Sequence, residues 1–215
     1  MNIQAIVNFF VGGGIWMYPI LLVGAIGVAI SIERLITLSK IENANHKIWN
    51  ILQPLINQGE FDKARELTAN DESTVSQLLH ESFEFQGAAR RRVDLEMTME
   101  EDMMAIIPQL EKRIAYTALF ANMATLLGLL GTVMGLIRAF DAVANAAPAE
   151  KSNLLSASIA EAMNCTSFGL MVAIPMLLIN LFLTTKSKRI IDSLEIISLK
   201  ALNVIFRHAS HKPQA

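Results

Sequence analysis

The chain has 215 residues, of which 53% are hydrophobic and 18% are charged, and its mean hydropathy is +0.40. This composition is more apolar than that of ordinary soluble domains and indicates a membrane protein. The net charge of −2 gives no electrostatic support for binding nucleic acid, and the single cysteine, Cys165, excludes a disulfide framework and a cysteine-based structural metal site.

The first uncharged stretch covers residues 11–32 and is 22 residues long. A helix of that length, rising about 1.5 Å per residue, reaches roughly 33 Å and can cross the hydrocarbon core of a bilayer. The alternative interpretation is a signal peptide, which has a basic beginning and a small-residue cleavage site. Residues 1–10 carry no Lys or Arg and no such site precedes Glu33, so a transmembrane helix is favoured.

Residues 33–113 are predicted to form a helical region outside the membrane. A turn is expected around Gly59 to Asp62, and a helical run from Arg90 to Glu111 carries both charge signs with Met and Leu at helical spacing. We expect these helices to continue the membrane helices. Pro108 should kink or break the last of them.

Two further uncharged stretches cover residues 114–137 and 162–185, and each is 24 residues long. Each could span a bilayer alone, so the sequence predicts three transmembrane helices. Residues 138–161 form a short connection. In the tail, residues 186–215, an apolar stripe of helical spacing is expected to be covered by another copy of the chain; it consists of Ile190, Leu194, Ile197, Ala201 and Val204.

Basic residues near the ends of the spans predict the orientation. Residues 1–10 have none and residues 138–161 have two, whereas residues 33–113 have ten and the tail has six. The N-terminus and the short connection are therefore predicted to lie outside, and the large loop and the C-terminal tail in the cytoplasm.

Enzyme motifs are absent from the sequence. It contains no GxGxxG, P-loop, HExxH or GxSxG pattern, and all four histidines lie outside the predicted spans. We therefore expect neither enzymatic activity nor a bound cofactor or metal, and histidine cannot serve as an intramembrane proton relay.

Small and polar residues mark the second and third spans as a crowded helix interface. In the second span, Gly131 and Gly135 form a GxxxG spacing that follows Gly128, and Thr125 and Thr132 share one helix face. In the third span a stripe of small residues, with one hydroxyl, repeats at intervals of four, three and four; it consists of Ala162, Thr166, Gly169 and Ala173. These glycines are predicted to be packing positions.

Glu161 stands at the outer end of the third span and is the one acid at or near membrane depth. An ionisable group there is a candidate functional residue. Alternatives remain open from the residues alone: Glu161 can be an interfacial residue wetted by the outer loop, and each threonine can simply donate a hydrogen bond to a carbonyl of its own helix.

Two strings carry a resemblance to a known family. Residues 128–140, GLLGTVMGLIRAF, and residues 160–175, AEAMNCTSFGLMVAIP, resemble the two signature helices of the proton-channel family that contains ExbB, TolQ and MotA. The layout is similar over the whole chain: an outer N-terminal span, a large cytoplasmic loop, a helical hairpin and a cytoplasmic tail. Three spans rather than four resemble the ExbB and TolQ branch, and ExbB most.

The resemblance implies an all-α membrane protein of the bacterial inner membrane. Five copies would form a ring around single-span helices of an ExbD- or TolR-like partner, whose intramembrane aspartate would carry the proton. A TonB- or TolA-like protein spanning the periplasm would receive the work. The function implied is that of an ExbB-like motor subunit; the alternatives are a TolQ-like role in envelope integrity and a non-conducting membrane scaffold.

The resemblance also suggests roles for individual residues. Thr132 in GLLGTVMG and Thr166 in NCTSFGL match the pore-lining threonines of the family, and Glu161 in AEAM matches its acid. One departure is Thr125, where relatives often carry proline, so a kink of the second span at this point does not follow from the resemblance.

Overall fold

The fold is α-helical throughout the part of the chain that the structure, a computed structural model, describes: residues 9–84 and 92–211. No strand occurs within these ranges. Residues 1–8, 85–91 and 212–215 lie outside the described residues; they include most of the predicted outer N-terminus, the start of the helical run predicted from Arg90 and the end of the predicted tail. In the described ranges the main helices are, in chain order, α1 Met17–Gln58, α2 Phe61–Ala69, α3 Thr74–Glu84, α4 Arg92–Glu111, α5 Ile114–Asn145 and α6 Lys151–His211.

Three segments are long and apolar enough to cross a membrane. They are Met17–Gln58, Arg92–Asn145 and Lys151–His208, with mean hydropathies of 1.8 to 2.0 in their most apolar windows. The second of them contains a break between α4 and α5. The prediction of an all-helical protein with three candidate spans is therefore confirmed, and a multi-pass membrane protein follows from it.

The break between α4 and α5 does not fall at the proline. The helix α4 continues through Pro108 and ends at Glu111, and α5 begins at Ile114. Between them Arg113 adopts a left-handed backbone conformation with φ of 62°, which an L-residue adopts only at a cost in free energy. The expected interruption exists, but the turn at Lys112 and Arg113 makes it, because a missing N–H can be tolerated inside a helix while a left-handed residue ends it.

The chain divides into two compact units. The first contains residues up to Glu33 together with Arg113–Leu183, and the second contains Arg34–Lys112 together with the residues from Thr184 onward. The first unit therefore holds most of the three predicted spans. The second holds the charged helical region and the tail helix.

In the first unit, α1, α5 and α6 share one apolar cluster. Its buried members are Ile20, Val23, Ala121, Ala124, Cys165, Ala173 and Met176. On α1, Gly24 lies against Val172 and Gly27 against Met176, so glycines on one helix accept larger side chains from the next. Most other large apolar side chains of these segments are exposed, as expected for surfaces that face lipid or further protein.

In the second unit, the apolar stripe of α6 is buried within its own chain. Ile190, Leu194, Ile197 and Ala201 are buried, and Val204 is half-buried. The hydroxyl of Ser198 lies 3.1 Å from the sulfur of Met99 on α4, so α4 is one of the helices that cover the stripe. The expectation that another copy covers it was wrong, because periodicity identifies an apolar face but not its partner.

Polar contacts fix the helices of the second unit. Lys186 on α6 lies 3.1 Å from the carboxylate of Glu42 and donates to the hydroxyl of Ser39, both on α1. The Asn45 amide accepts a hydrogen bond of 3.2 Å from the N–H of Val75 and exchanges hydrogen bonds with Thr74, which satisfies donors at the start of α3. These contacts join α1 to α6 and to α3.

Candidate functional site

The candidate site is the contact between α5 and α6, where backbone meets backbone. A methyl group on Gly128 would lie 3.3 Å from the Cα atoms of both Gly169 and Thr166. A methyl group on Gly169 would lie 2.7 Å from the carbonyl oxygen of Ala124. A side chain at Gly169 would collide with the backbone of α5, and one at Gly128 would be tightly packed against the backbone of α6, so both glycines allow a close approach of the two helices.

The remaining two glycines of the second span face side chains of α6. A methyl group on Gly135 would lie 2.9 Å from the Cβ of Ala162, and one on Gly131 would collide with the Cys165 sulfur. The stripe of small residues predicted on the third span is thus the surface that α5 meets. All four predicted glycine positions are buried.

Thr166 uses its hydroxyl across this contact. Its Oγ1 donates a hydrogen bond of 2.9 Å to the carbonyl oxygen of Gly128, 38 residues earlier in the chain. The alternative of a bond to its own helix therefore does not describe this residue. The bond reaches α5 at the position where the missing side chain of Gly128 leaves the backbone accessible.

Thr132 and Thr125 behave differently. Thr132 donates over 2.6 Å to the carbonyl of Leu129, and Thr125 donates over 3.3 Å to that of Ala121, so both bonds stay within α5. No hydrogen bond links Thr132 to Thr166 in the described ranges. The two threonines are half-buried and lie on adjoining helices, and each hydroxyl oxygen retains lone pairs that can accept a further hydrogen bond.

At the end of α5 and the beginning of the third span, Glu161 lies opposite a cation. Its carboxylate is 3.5 Å from the guanidinium of Arg138 on α5, and the two side chains are 36% and 51% exposed. The same carboxylate lies against Gly14, whose φ of +72° suits glycine. Arg138 was not identified from the sequence as a site residue. It is the first cation after the second span, and Glu161 is the last acid before the third span, so the two charges could have been expected to lie close together.

A second polar junction lies at the other end of the spans. The side-chain amide of Asn180 donates to Thr117 over 2.6 Å and to the carbonyl oxygen of Ile114 over 2.9 Å, and Thr117 itself donates to that carbonyl. Thr117 is fully buried. Sequence analysis also missed this junction, although an amide inside an apolar span was visible as a signal.

The spans contain few groups that can carry a proton. Residues 11–32, 114–137 and 162–185 contain no Asp, Glu or His. Within the part of the chain that the structure describes, no three His, Cys, Asp or Glu side chains come together as a metal site would require. The arrangement can therefore offer hydroxyls and carbonyls as hydrogen-bonding groups to water or to a carboxylate of another chain. The spans themselves provide no carboxylate or imidazole.

The family of the chain follows from its middle and C-terminal parts. Residues 70–196, more than half of the chain, match the MotA/TolQ/ExbB proton channel family. The chain belongs to this family. The matched region contains all of α5 and the part of α6 that carries Glu161, Thr166 and Gly169.

Several ExbB-like proteins are similar to this family member. A Synechocystis sp. protein named ExbB-like 3 is 29% identical over 170 residues, which are 77% of this chain and 79% of that protein. A Methanothermobacter thermautotrophicus protein named as an ExbB homolog is 26% identical over 207 residues, which are 92% of this chain and 72% of that protein. A Helicobacter pylori protein named ExbB-like 2 is 33% identical over 87 residues, covering 40% and 57%. The predicted resemblance to ExbB is thus confirmed.

We predict that Gly128→Leu destabilises the protein. The new side chain would meet the backbone of α6, and overpacking of this kind costs about 1 to 3 kcal/mol, which lowers the unfolding temperature by roughly 2 to 12 °C in a chain of this size. Thermal unfolding in detergent measures the effect. Ala115→Leu, at an exposed position on α5, is the control and should change the unfolding temperature little. Equal unfolding temperatures for the two variants would contradict the packing role.

Proposed function

We propose that this chain is the ExbB-like ring subunit of a motor that is driven by the proton motive force in a bacterial inner membrane. In this proposal it works with an ExbD-like single-span partner and energises TonB-dependent transport across the outer membrane. The supporting observation is membership of the proton channel family through a region that contains the whole contact between α5 and α6. The similarity to ExbB-named proteins favours this branch.

The absence of acids and histidines from the spans fits a division of labour between two chains. A charge at mid-membrane costs about 2.5 to 3.5 kcal/mol, so a proton path needs both a titratable carrier and polar groups that reduce this cost. We assign the carrier to an aspartate of the partner, and the polar groups to Thr132 and Thr166. Glu161, paired with Arg138, stands at the outer end of this path.

The energy available is sufficient for mechanical coupling. A proton that moves through 100 mV releases about 2.3 kcal/mol, which is enough to shift the population of two helix arrangements by roughly fiftyfold. A ring of five copies around the partner helices would convert this energy into movement of the partner and of a TonB-like protein. A TolQ-like role with a TolA-like protein uses the same machinery and is the alternative within the family.

A scaffold without conduction is a second candidate of another class. The observation that favours it is the hydrogen bond from Thr166 to Gly128, because a hydroxyl that joins two helices already has a structural role. Exposed apolar surfaces and small-residue contacts would suffice for such a scaffold. The two candidates differ in whether protons cross the membrane.

Proton flux into vesicles tests the proposal directly. We expect vesicles that contain this chain with a single-span partner bearing an intramembrane aspartate to take up protons when a potential is applied, as measured with an internal pH-sensitive dye. The same partner with asparagine in place of that aspartate is the control and should conduct no protons. Absence of flux from correctly assembled complexes would favour the scaffold.

We predict that Thr166→Val reduces proton flux at least tenfold while the complex still assembles. Valine has nearly the shape of threonine but can neither donate nor accept a hydrogen bond, and loss of the bond to Gly128 costs only about 1 kcal/mol of stability. Thr166→Ser restores the hydroxyl and should recover most of the flux. Ser167→Ala is the matched control, because that exposed hydroxyl bonds its own helix at Met163. Full flux in an assembled Thr166→Val complex would remove this residue from the proton path.

The orientation is also a proposal, and introduced cysteines test it. A cysteine at Asn153 should react with an impermeant thiol reagent outside intact cells, and one at Ser193 only after the membrane is opened. Both positions are exposed, whereas the native Cys165 is 1% exposed, so the wild-type chain serves as the unreactive control. The reverse labelling pattern would place the tail outside.

A further inference from the structure

The second unit contains a half-buried carboxyl group, Asp102, beside its apolar core. Asp102 lies on α4 three residues after Met99 and four before Ile106, both of which are buried. Residues three and four apart share a helix face, so Asp102 lies on the same face of α4 as these two buried residues. Its Oδ2 atom is buried and has no hydrogen-bond partner among the described residues.

The charged groups around Asp102 are mainly acids. On α3, which packs against α4, Glu81 acts on it by like-charge repulsion, and on its own helix Glu101 does the same. On α6, the contacts of Met99 with Ser198 and of Arg92 with Asn203 place Glu195 about level with Asp102, and Glu195 is exposed.

Three basic side chains in the described part of the second unit make contacts elsewhere. Arg34 on α1 donates to the carbonyl of Lys112, which follows the end of α4 and lies ten residues after Asp102 in the chain. Arg189 and Lys200 on α6 line a cavity together with Glu42 and Trp49 of α1. Burial raises the pKa of Asp102 from 3.8 to about 6, and the nearby charges of Glu81 and Glu101 act in the same direction.

We propose that Asp102 makes the packing of α3 against α4 sensitive to cytoplasmic pH. The protonated carboxyl is neutral and is accommodated in the apolar stripe, whereas the carboxylate brings an uncompensated charge close to two other acids. The device goes beyond the proposed proton motor, because Asp102 lies outside the uncharged span at residues 114–137 and belongs to this chain alone. It takes only the cytoplasmic side of the second unit from the proposed orientation.

The direction of the effect follows from linkage. A carboxyl whose pKa is raised in the packed state favours packing fully below its ordinary value of 3.8, and this contribution is lost as the pH rises through about 6. With an open state that titrates at 3.8, the ratio of packed to open forms falls about tenfold between pH 5 and pH 7.5. The bundle is therefore tighter in an acidified cytoplasm.

Hydrogen exchange on the full chain in detergent tests this inference. After correction for the intrinsic pH dependence of exchange, the opening equilibrium of backbone amides in α3 and α4 should rise about tenfold between pH 5 and pH 7.5. Asp102→Asn stays neutral and should reduce this change to less than twofold. Asp94→Asn, an exposed position on the same helix, should retain the tenfold change.

A second variant separates titration from a structural disturbance. Glu81→Gln removes one repelling charge and should move the midpoint of the pH dependence below about 6 while Asp102 remains in place. A wild-type chain without pH-dependent opening of α3 and α4 would overturn the proposal, as would an unchanged pH dependence in Asp102→Asn. If Asp102→Asn does not fold, an unchanged midpoint in Glu81→Gln overturns it instead.

Discussion

The contact on which the candidate site depends is the approach of two helix backbones at Gly128 and Gly169. In a bilayer, apolar side chains gain nothing by leaving lipid for protein, so helices associate through close packing and hydrogen bonds. Glycine at both positions gives α5 and α6 this close packing. This close packing also determines which other polar and small residues of α5 and α6 come into contact, because such contacts depend on the distance between the two helices.

The hydrogen bond of Thr166 illustrates this dependence. A helix carbonyl is normally screened by side chains and already accepts a bond from its own helix. At Gly128 the absent side chain exposes the carbonyl, and the short interhelical distance brings the hydroxyl to 2.9 Å. The same threonine therefore contributes to packing and is one of the two that the proposed function assigns to the proton path, which is why the Thr166 variants must be judged by both assembly and flux.

Hydropathy and charge predicted much of the architecture, because the bilayer imposes strong constraints on segment length and composition. The three candidate spans and the small-residue stripe of the third span could be read directly. What covers the stripe around Leu194 could not, since the same periodicity fits a neighbouring copy or another part of the chain. The sequence also did not reveal that Asp102 faces inward, because α4 carries charges on several sides and its apolar face is interrupted by this acid.

The glycines of α5 differ in how much sequence change each one allows. Gly131 and Gly135 face the side chains of Cys165 and Ala162, so a gain of volume on α5 can be matched by a loss on α6, and the two positions of each pair are free to vary together. Gly128 and Gly169 face backbone atoms, which no substitution can make smaller. Among homologues, the first two positions can therefore tolerate paired exchange, whereas a larger residue at either of the last two requires the helix backbones to move apart.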